Sequence, residues 1–285
     1  MRIKLILLAT TVVLGLEPPA VFAQPLEHRL HLSKYESALL AGFPLTLWAG
    51  KKLYHPDPSF REHDRGWKNP LDAAARAVLH NRLFQNHEKI PKVISDQLRN
   101  ALLIYPLLYL PRKNHPTYEF HEQPFALCDD ARFFLSYAEA HSATFFVTHL
   151  AKFISNRHRP WVAYQNFSSP LYKGETPERA NVSFFSGHAS TAFASASFHH
   201  RMLQRFQGKR LGDAEVWGVY LAAALTGVAR ISADKHYLTD VLTGAVVGTL
   251  VARWVVDLSD YAIIERSGIA PQDRAFPILV LNIAL

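Results

Sequence analysis

The chain has 285 residues, 49% of them hydrophobic and 19% charged, which is enough apolar material for one sizeable core or two modest ones. Its formal charge of +7 suits phosphate-bearing or anionic-membrane partners, but the basic residues are scattered rather than gathered in a stripe, so there is no nucleic-acid footprint. The only cysteine is Cys128, which excludes an internal disulfide and leaves stability to packing.

In chain order, Arg2 and Lys4 precede the apolar run LILLATTVVLGL, and Val21 and Ala23 form the small pair before Gln24, the three-part layout of a secretory signal. Residues 1–23 are therefore expected to be cleaved on export to the periplasm or the cell exterior. That leaves 24–285 as one domain with a charge of +6. An uncleaved anchor or a buried helix is the other reading of the same residues.

Five apolar stretches follow: SALLAGFPLTLWAG from Ser37, NALLIYPLLYLP ending at Pro111, Phe133 to Leu150, VWGVYLAAALTGVA ending at Ala229, and VLTGAVVGTLVA ending at Ala252. Their uncharged runs of about 12 to 15 residues fall short of the roughly 18 to 20 a membrane-spanning helix needs, and the third carries Glu139, His141 and His149. Buried helices of a soluble or membrane-surface protein are expected. Between Gly50 and Gln97, prolines and turn signals predict a loop and then a short helix from Asp72. His55, Asp57, His63 and Asp64 cluster there without a ligand spacing, so solvated loop residues are expected rather than a metal site.

From Asp130 to Leu258 the pattern is helical, and alternating β-branched segments with Asn-Gly or Asp-Gly turns are absent. The fold class is therefore all-α, a helical bundle with its chemistry at helix ends. The tail AFPILVLNIAL is expected to pack onto the bundle.

Three stretches carry the chemistry. In KFISNRHRP, Lys152 and Arg159 lie seven apart, which on one helix puts them on one face about 10 Å apart, with Pro160 as the stop. A basic helix end facing its own dipole would look the same. In SFFSGHAS, Ser186 is a favoured N-cap ahead of the small-residue run ASTAFASASF, and the free amides of a first helical turn make an anion site beside His188. An ordinary capped helix is the plainer alternative. In ARISADKHYLTD, Arg230 precedes His236 by six residues and Asp240 follows it by four; a carboxylate at that spacing on a helix can fix one imidazole nitrogen and leave the other free. A surface salt-bridge network is the alternative there. Together the stretches supply cations, helix-start amides and two histidines, the parts for phosphoryl transfer without a metal.

KFISNRHRP, SGH and RISADKHYLTD, in that order, resemble the type 2 phosphatidic acid phosphatase superfamily, which also takes in bacterial acid phosphatases and vanadium-dependent haloperoxidases. The family pattern is Lys, six residues, Arg-Pro; then Pro-Ser-Gly-His; then Ser-Arg, five residues, His, three residues, Asp. Here Phe185 replaces the usual Pro and Ala229 the usual Ser, departures that bear on substrate choice more than on reaction type. The resemblance implies that His236 is the nucleophile, that Asp240 orients it, and that His188 is the general acid for the leaving alcohol and then the base for water. It further implies phosphate binding by Lys152, Arg159, Arg230, Ser186 and Gly187, with no metal and no cofactor.

The expected function is an exported phosphatase acting on phosphomonoesters or on lipid phosphates and diphosphates, with membrane-surface association and no nucleic-acid partner. The alternatives are a vanadate-dependent haloperoxidase, since vanadate copies the phosphoryl transition state, and an integral-membrane lipid phosphatase with the same site. Trp161, Tyr164, Phe167 and Tyr172, in the stretch joining the first two motifs, either rim the pocket for an acyl or isoprenyl chain or pack internally.

Overall fold

The computed structural model describes residues 69–108, 126–207 apart from 170, 174 and 176, and 213–267, with residues 41 and 44. The expected signal segment, the His55 to Asp64 cluster, most of the first apolar stretch and the tail lie outside the described residues. The elements are α1 (Pro70–Arg76), continued by a π-helical turn (Ala77–Arg82), α2 (Lys89–Leu108), α3 (Ala126–Ser155), the short α4 (Pro160–Ala163) and α5 (Pro177–Ala180), α6 (Gly187–Gln207), α7 (Ala214–Ser232) and α8 (Leu238–Ser267). Among the described residues there is no strand, so the protein is all-α as expected.

α6 is the axis of the bundle, packed by α8, α7, α2 and α3. A helix surrounded in this way must be buried on every face, and small side chains let its neighbours come close. Ala189, Ser190, Ala192, Ala194, Ser195, Ala196 and Ser197 are all fully buried. α8 approaches through Gly244 and Gly248, one turn apart on one face. A β-carbon on Gly244 would stand 2.7 Å from the Ser186 carbonyl oxygen, and one on Gly248 would overlap the Ser190 backbone. Farther along, Phe133, Tyr137, Phe198, Met202, Val255 and Val256 form the apolar core between α3, α6 and α8. The hydroxyls buried with them are paired: Thr148 with Ser190 at 3.0 Å, and Tyr137 donating to the Leu103 carbonyl at 2.7 Å.

Two expectations about the helices are corrected. The short helix comes at Pro70, capped by the Asn69 side chain, which accepts from the Leu71 amide at 2.8 Å. And two of the five apolar stretches lie on longer helices than expected: α7 and residues 238–258 of α8 are each long and apolar enough to cross a membrane, by length and composition alone, a property that buried core helices share. Counting uncharged runs alone missed this, because both helices continue through charged residues at their ends, Glu215 and Arg230 in α7 and Asp240 in α8. Each helix keeps a large apolar stripe exposed, Trp217, Leu221, Leu225 and Val228 on α7, and Leu242, Val246, Leu250 and Trp254 on α8.

Ala in place of Gly in a helix gains about 1 kcal/mol of propensity, but an added methyl in a closed contact costs about 1–3 kcal/mol. Gly248→Ala, which pushes into the α6 backbone, is expected to lower the melting temperature. Gly218→Ala on α7 has open space at its β-carbon and should leave the melting temperature unchanged or raised. Equal melting behaviour of the two variants would contradict the close α6–α8 contact.

Candidate active site

The first motif does not lie on one helix. α3 ends at Ser155, Asn156 takes a left-handed backbone (φ 45°), and Arg159 is the extended cap residue of α4 with Pro160 in its first turn. Pro160 thus opens a helix instead of closing one, since its fixed φ suits a first turn and its missing N–H is not needed there. Lys152 leaves from the last turn of α3 and donates to the Val182 carbonyl at 3.1 Å. The segment after α5 runs alongside, held by the Arg159 amide on the Ala180 carbonyl (2.7 Å) and the Ser183 amide on the Arg157 carbonyl (3.0 Å).

That segment delivers the second motif. Ser186 caps α6, its hydroxyl accepting from the Ala189 amide at 3.3 Å while its own amide donates to the Asp240 carbonyl at 3.0 Å. A β-carbon on Gly187 would lie 3.9 Å from Lys152 Nζ, so the ammonium stands over the first turn of α6. His188 follows in that turn, and its Nε2 is 2.7 Å from Asp96 Oδ1 of α2.

The third motif corrects the expected helical spacing. α7 ends at Ser232, Asp234 turns the chain with φ 55°, and His236 precedes α8 instead of sitting on it. Its Nδ1 meets the Ser183 carbonyl at 2.8 Å, whereas Asp240 Oδ2 is 3.7 Å away. A carbonyl can only accept, so Nδ1 carries the proton and the lone pair is on Nε2. Asp240 acts around the histidine: it accepts from the Ser183 hydroxyl at 2.5 Å, the Tyr237 amide at 3.0 Å and Arg157 Nη1 at 2.7 Å. The carboxylate therefore pins both chain segments that hold the imidazole.

The electrostatics follow from this convergence. Burial, then Arg159, Lys152 and Arg230, hold the His236 pKa well below its ordinary value, so the ring is neutral at pH 7. Burial and the nearby Arg159 bring Lys152 down to about 7. Arg159 and Arg230 each keep a buried Nε–H without a hydrogen-bond partner among the described residues. Buried donors rarely stay unpaired, and cations packed together around a neutral base favour an anion among them.

Several residues of the site escaped the sequence reading. Arg157, inside the first motif, bridges Asp240 and Asp72, whose Oδ2 it meets at 2.8 Å, and stacks over the Tyr237 ring at 4.0 Å. Asp72 also accepts from the Thr239 amide and hydroxyl at 2.9 Å each. Arg76, one turn on, grips Asp234 with two donors at 2.6 and 2.8 Å. α1 therefore clamps the loop that carries His236. The acid–base pair Asp72 and Arg76 at i, i+4 was the available signal, but it looks the same as a solvated pair. Asp96 and Arg99 on α2 had no signal at all. Of the aromatics, Trp161 and Tyr172 stack at 5.0 Å, both fully buried. Tyr164 lies under the Arg76 guanidinium and Phe167 packs against Trp161, so this set is packing and not rim. Phe185 is buried as well, edge-on to Phe184.

Removing one partner of a buried ion pair typically costs about 3–5 kcal/mol, because the other charge is left unpaired. Arg157→Met strands Asp72 and Asp240 and is expected to lose stability in that range on denaturant unfolding. A loss under about 1 kcal/mol would show that the bridge does not hold the loop.

Residues 133–264 match the PAP2 superfamily. The chain is 42% identical over 79 residues to the lipid A 1-phosphatase of Porphyromonas gingivalis, a match spanning 27% of this chain and 17% of that one. It is also similar to the crystal structure of Aquifex aeolicus LpxE, with a TM-score of 0.42 and 19% identity over 67% of this chain and 97% of that one.

Proposed function

From the match of residues 133–264 to the PAP2 superfamily, we propose that the chain is a phosphatase that removes phosphate from lipids through a phosphohistidine on His236. The observation that carries the reading is the convergence of Lys152, Arg159 and Arg230 on a neutral, buried His236 whose Nδ1 is already bound. Those cations, with the Ser186 hydroxyl and the Gly187 amide, take the nonbridging oxygens, the work a metal does elsewhere.

The steps then balance with side chains alone. His236 Nε2 attacks phosphorus, the N–P bond forms, and the bond to the leaving oxygen breaks as His188 passes it a proton. Water next gives its proton to His188 and attacks phosphorus, the N–P bond breaks, and inorganic phosphate leaves. Through both steps the Nδ1–H of His236 stays on the Ser183 carbonyl, and Asp240 holds Ser183 in place. A nucleophile with its pKa held this low stays unprotonated well into acid, while Lys152 loses its charge as pH rises through about 7. Both properties favour activity on the acid side of neutral.

A lipid substrate is supported by the similarity to a lipid A 1-phosphatase and by the exposed apolar stripes on α7 and α8. Trp217 and Trp254 both lie at the far ends of their stripes, about 20 Å from Arg230 and Asp240 by helical rise, and tryptophan favours a membrane interface. The proposed arrangement puts α7 and α8 in the bilayer with the loop of His236 at its surface. Export by residues 1–23, with 24–285 as one domain, completes the reading.

With labelled substrate and an acid-free quench, His236→Ala should trap no phosphoenzyme. His188→Ala should still become phosphorylated by an aryl phosphate, whose leaving group needs no proton, and wild-type turnover should survive chelator and fall with vanadate. Label retained in the His236 variant would overturn the assignment. Substrate class is read from phosphate release across lipid A, phosphatidic acid, isoprenyl diphosphate and small soluble esters, with the lipids expected to be preferred.

For the membrane reading, purified membranes should keep the protein through a carbonate wash and release it in detergent, and its intact mass should begin at Gln24. Release by carbonate would refute insertion and leave only surface attachment.

A further inference from the structure

The catalytic histidine of the second motif has a partner that lies outside all three motifs. Asp96, in the second turn of α2, places Oδ1 2.7 Å from His188 Nε2. The same nitrogen is 3.1 Å from Arg99 Nη1, one turn farther along α2. These two contacts exclude each other chemically. A carboxylate binds Nε2 only when that nitrogen carries a proton, and a guanidinium only when it does not. The shorter contact, to Asp96, belongs to the Nε2–H form. Among the described residues nothing bonds Nδ1.

We infer that Asp96 is the positioning carboxylate of His188, holding the proton on Nε2 so that Nδ1 is the nitrogen that gives a proton to the leaving oxygen and takes one from water. This deepens the phosphatase reading above and rests on it. With Nε2–H fixed, the neutral ring presents a lone pair at Nδ1 and the protonated ring an N–H there, so one nitrogen serves both steps. Without Asp96, Arg99 donates to Nε2 and the neutral ring is left with its proton on Nδ1, a form that cannot accept from water.

The charges around His188 make the carboxylate necessary. Arg99 faces it from α2, Arg230 from α7, His236 from the loop before α8, and Lys152 stands over the same turn from α3. Burial, Arg230 and Arg99 hold His188 below its ordinary value, and Asp96 is the group opposing them. Asp96 also meets Arg230 Nη1 at 3.6 Å and Lys92 Nζ at 3.3 Å. A purely structural role, aligning Arg230, therefore has to be told apart.

The test compares Asp96→Ala and Asp96→Asn with wild type on an alkyl phosphate and on p-nitrophenyl phosphate, following the burst and the steady state. Asp96→Ala should slow alkyl phosphate turnover by about 100-fold, the lower end of what a general acid contributes. Its burst of p-nitrophenol should stay within about 3-fold of wild type, because that leaving group needs no proton, while its steady-state rate falls with the lost base. Asp96→Asn keeps an acceptor for Nε2–H and should fall between. Removing the carboxylate also lowers the His188 pKa, so the alkaline limb of alkyl phosphate turnover should move to lower pH. A burst lost in the same proportion as alkyl turnover would assign Asp96 to Arg230 and overturn the inference. The tautomer is read independently by ¹⁵N imidazole spectra, with Nε2–H expected in wild type and Nδ1–H in Asp96→Ala. An unchanged tautomer would also overturn it. If wild type releases no phosphate from either ester, the phosphatase reading falls, and the spectra still judge the pairing.

Discussion

Lys152, Arg159 and Arg230 are gathered around one buried imidazole, and holding like charges together away from water is the constraint the rest of the fold serves. Each charge would be cheaper in solvent, and their mutual repulsion grows as the dielectric falls. The protein answers with carboxylates placed one step back. Asp96 stands 3.6 Å from Arg230, Glu175 accepts from Lys235 at 3.2 Å within the field of Arg159, and Asp240 takes Arg157 at 2.7 Å. Burial, and then Arg159, leave Lys152 with a depressed pKa.

The backbone supplies the rigidity this requires. His236, His188 and Arg159 come from three separate chain turns, joined by main-chain bonds from Ser186 to Asp240, Ser183 to Arg157 and Arg159 to Ala180. α1 adds a strap, with Asp72 and Arg76 gripping the loop on both sides of His236. Beneath them the small residues of α6 and the glycines of α8 set the depth at which the helix start meets the pocket.

The same bundle solves two opposite solvent problems. Its interior is rich in hydroxyls and histidines, such as Ser195 with His141 at 3.2 Å and Thr148 with Ser190 at 3.0 Å, while α7 and α8 show large apolar side chains outward. Apolar stripes facing outward suit lipid surroundings, and the arrangement proposed above would set the charged site at the level of lipid phosphates. In the proposed function, chemistry and location follow from one arrangement of helices.

The all-α class and the three charged motifs were legible in the sequence, because helical periodicity and the spacing of ionisable residues are local properties. How the motifs are built was not. Helical spacing would put Lys152 and Arg159 on one face and His236 and Asp240 on another, yet α3 stops at Ser155 before a left-handed Asn156, and α8 starts only at Leu238 after the turn at Asp234, so Arg159 and His236 reach the site from loops while Lys152 and Asp240 stay at helix ends. Helix length was underestimated because charged residues at Arg230 and Asp240 were counted as ends, when the site itself is what lets a helix terminus bury them. Least legible were Asp72, Asp96, Arg99 and the Arg157 bridge. A charge with a partner 85 to 92 positions away is indistinguishable in sequence from one facing water, since only folding fixes which distant partner it meets and whether solvent is excluded between them.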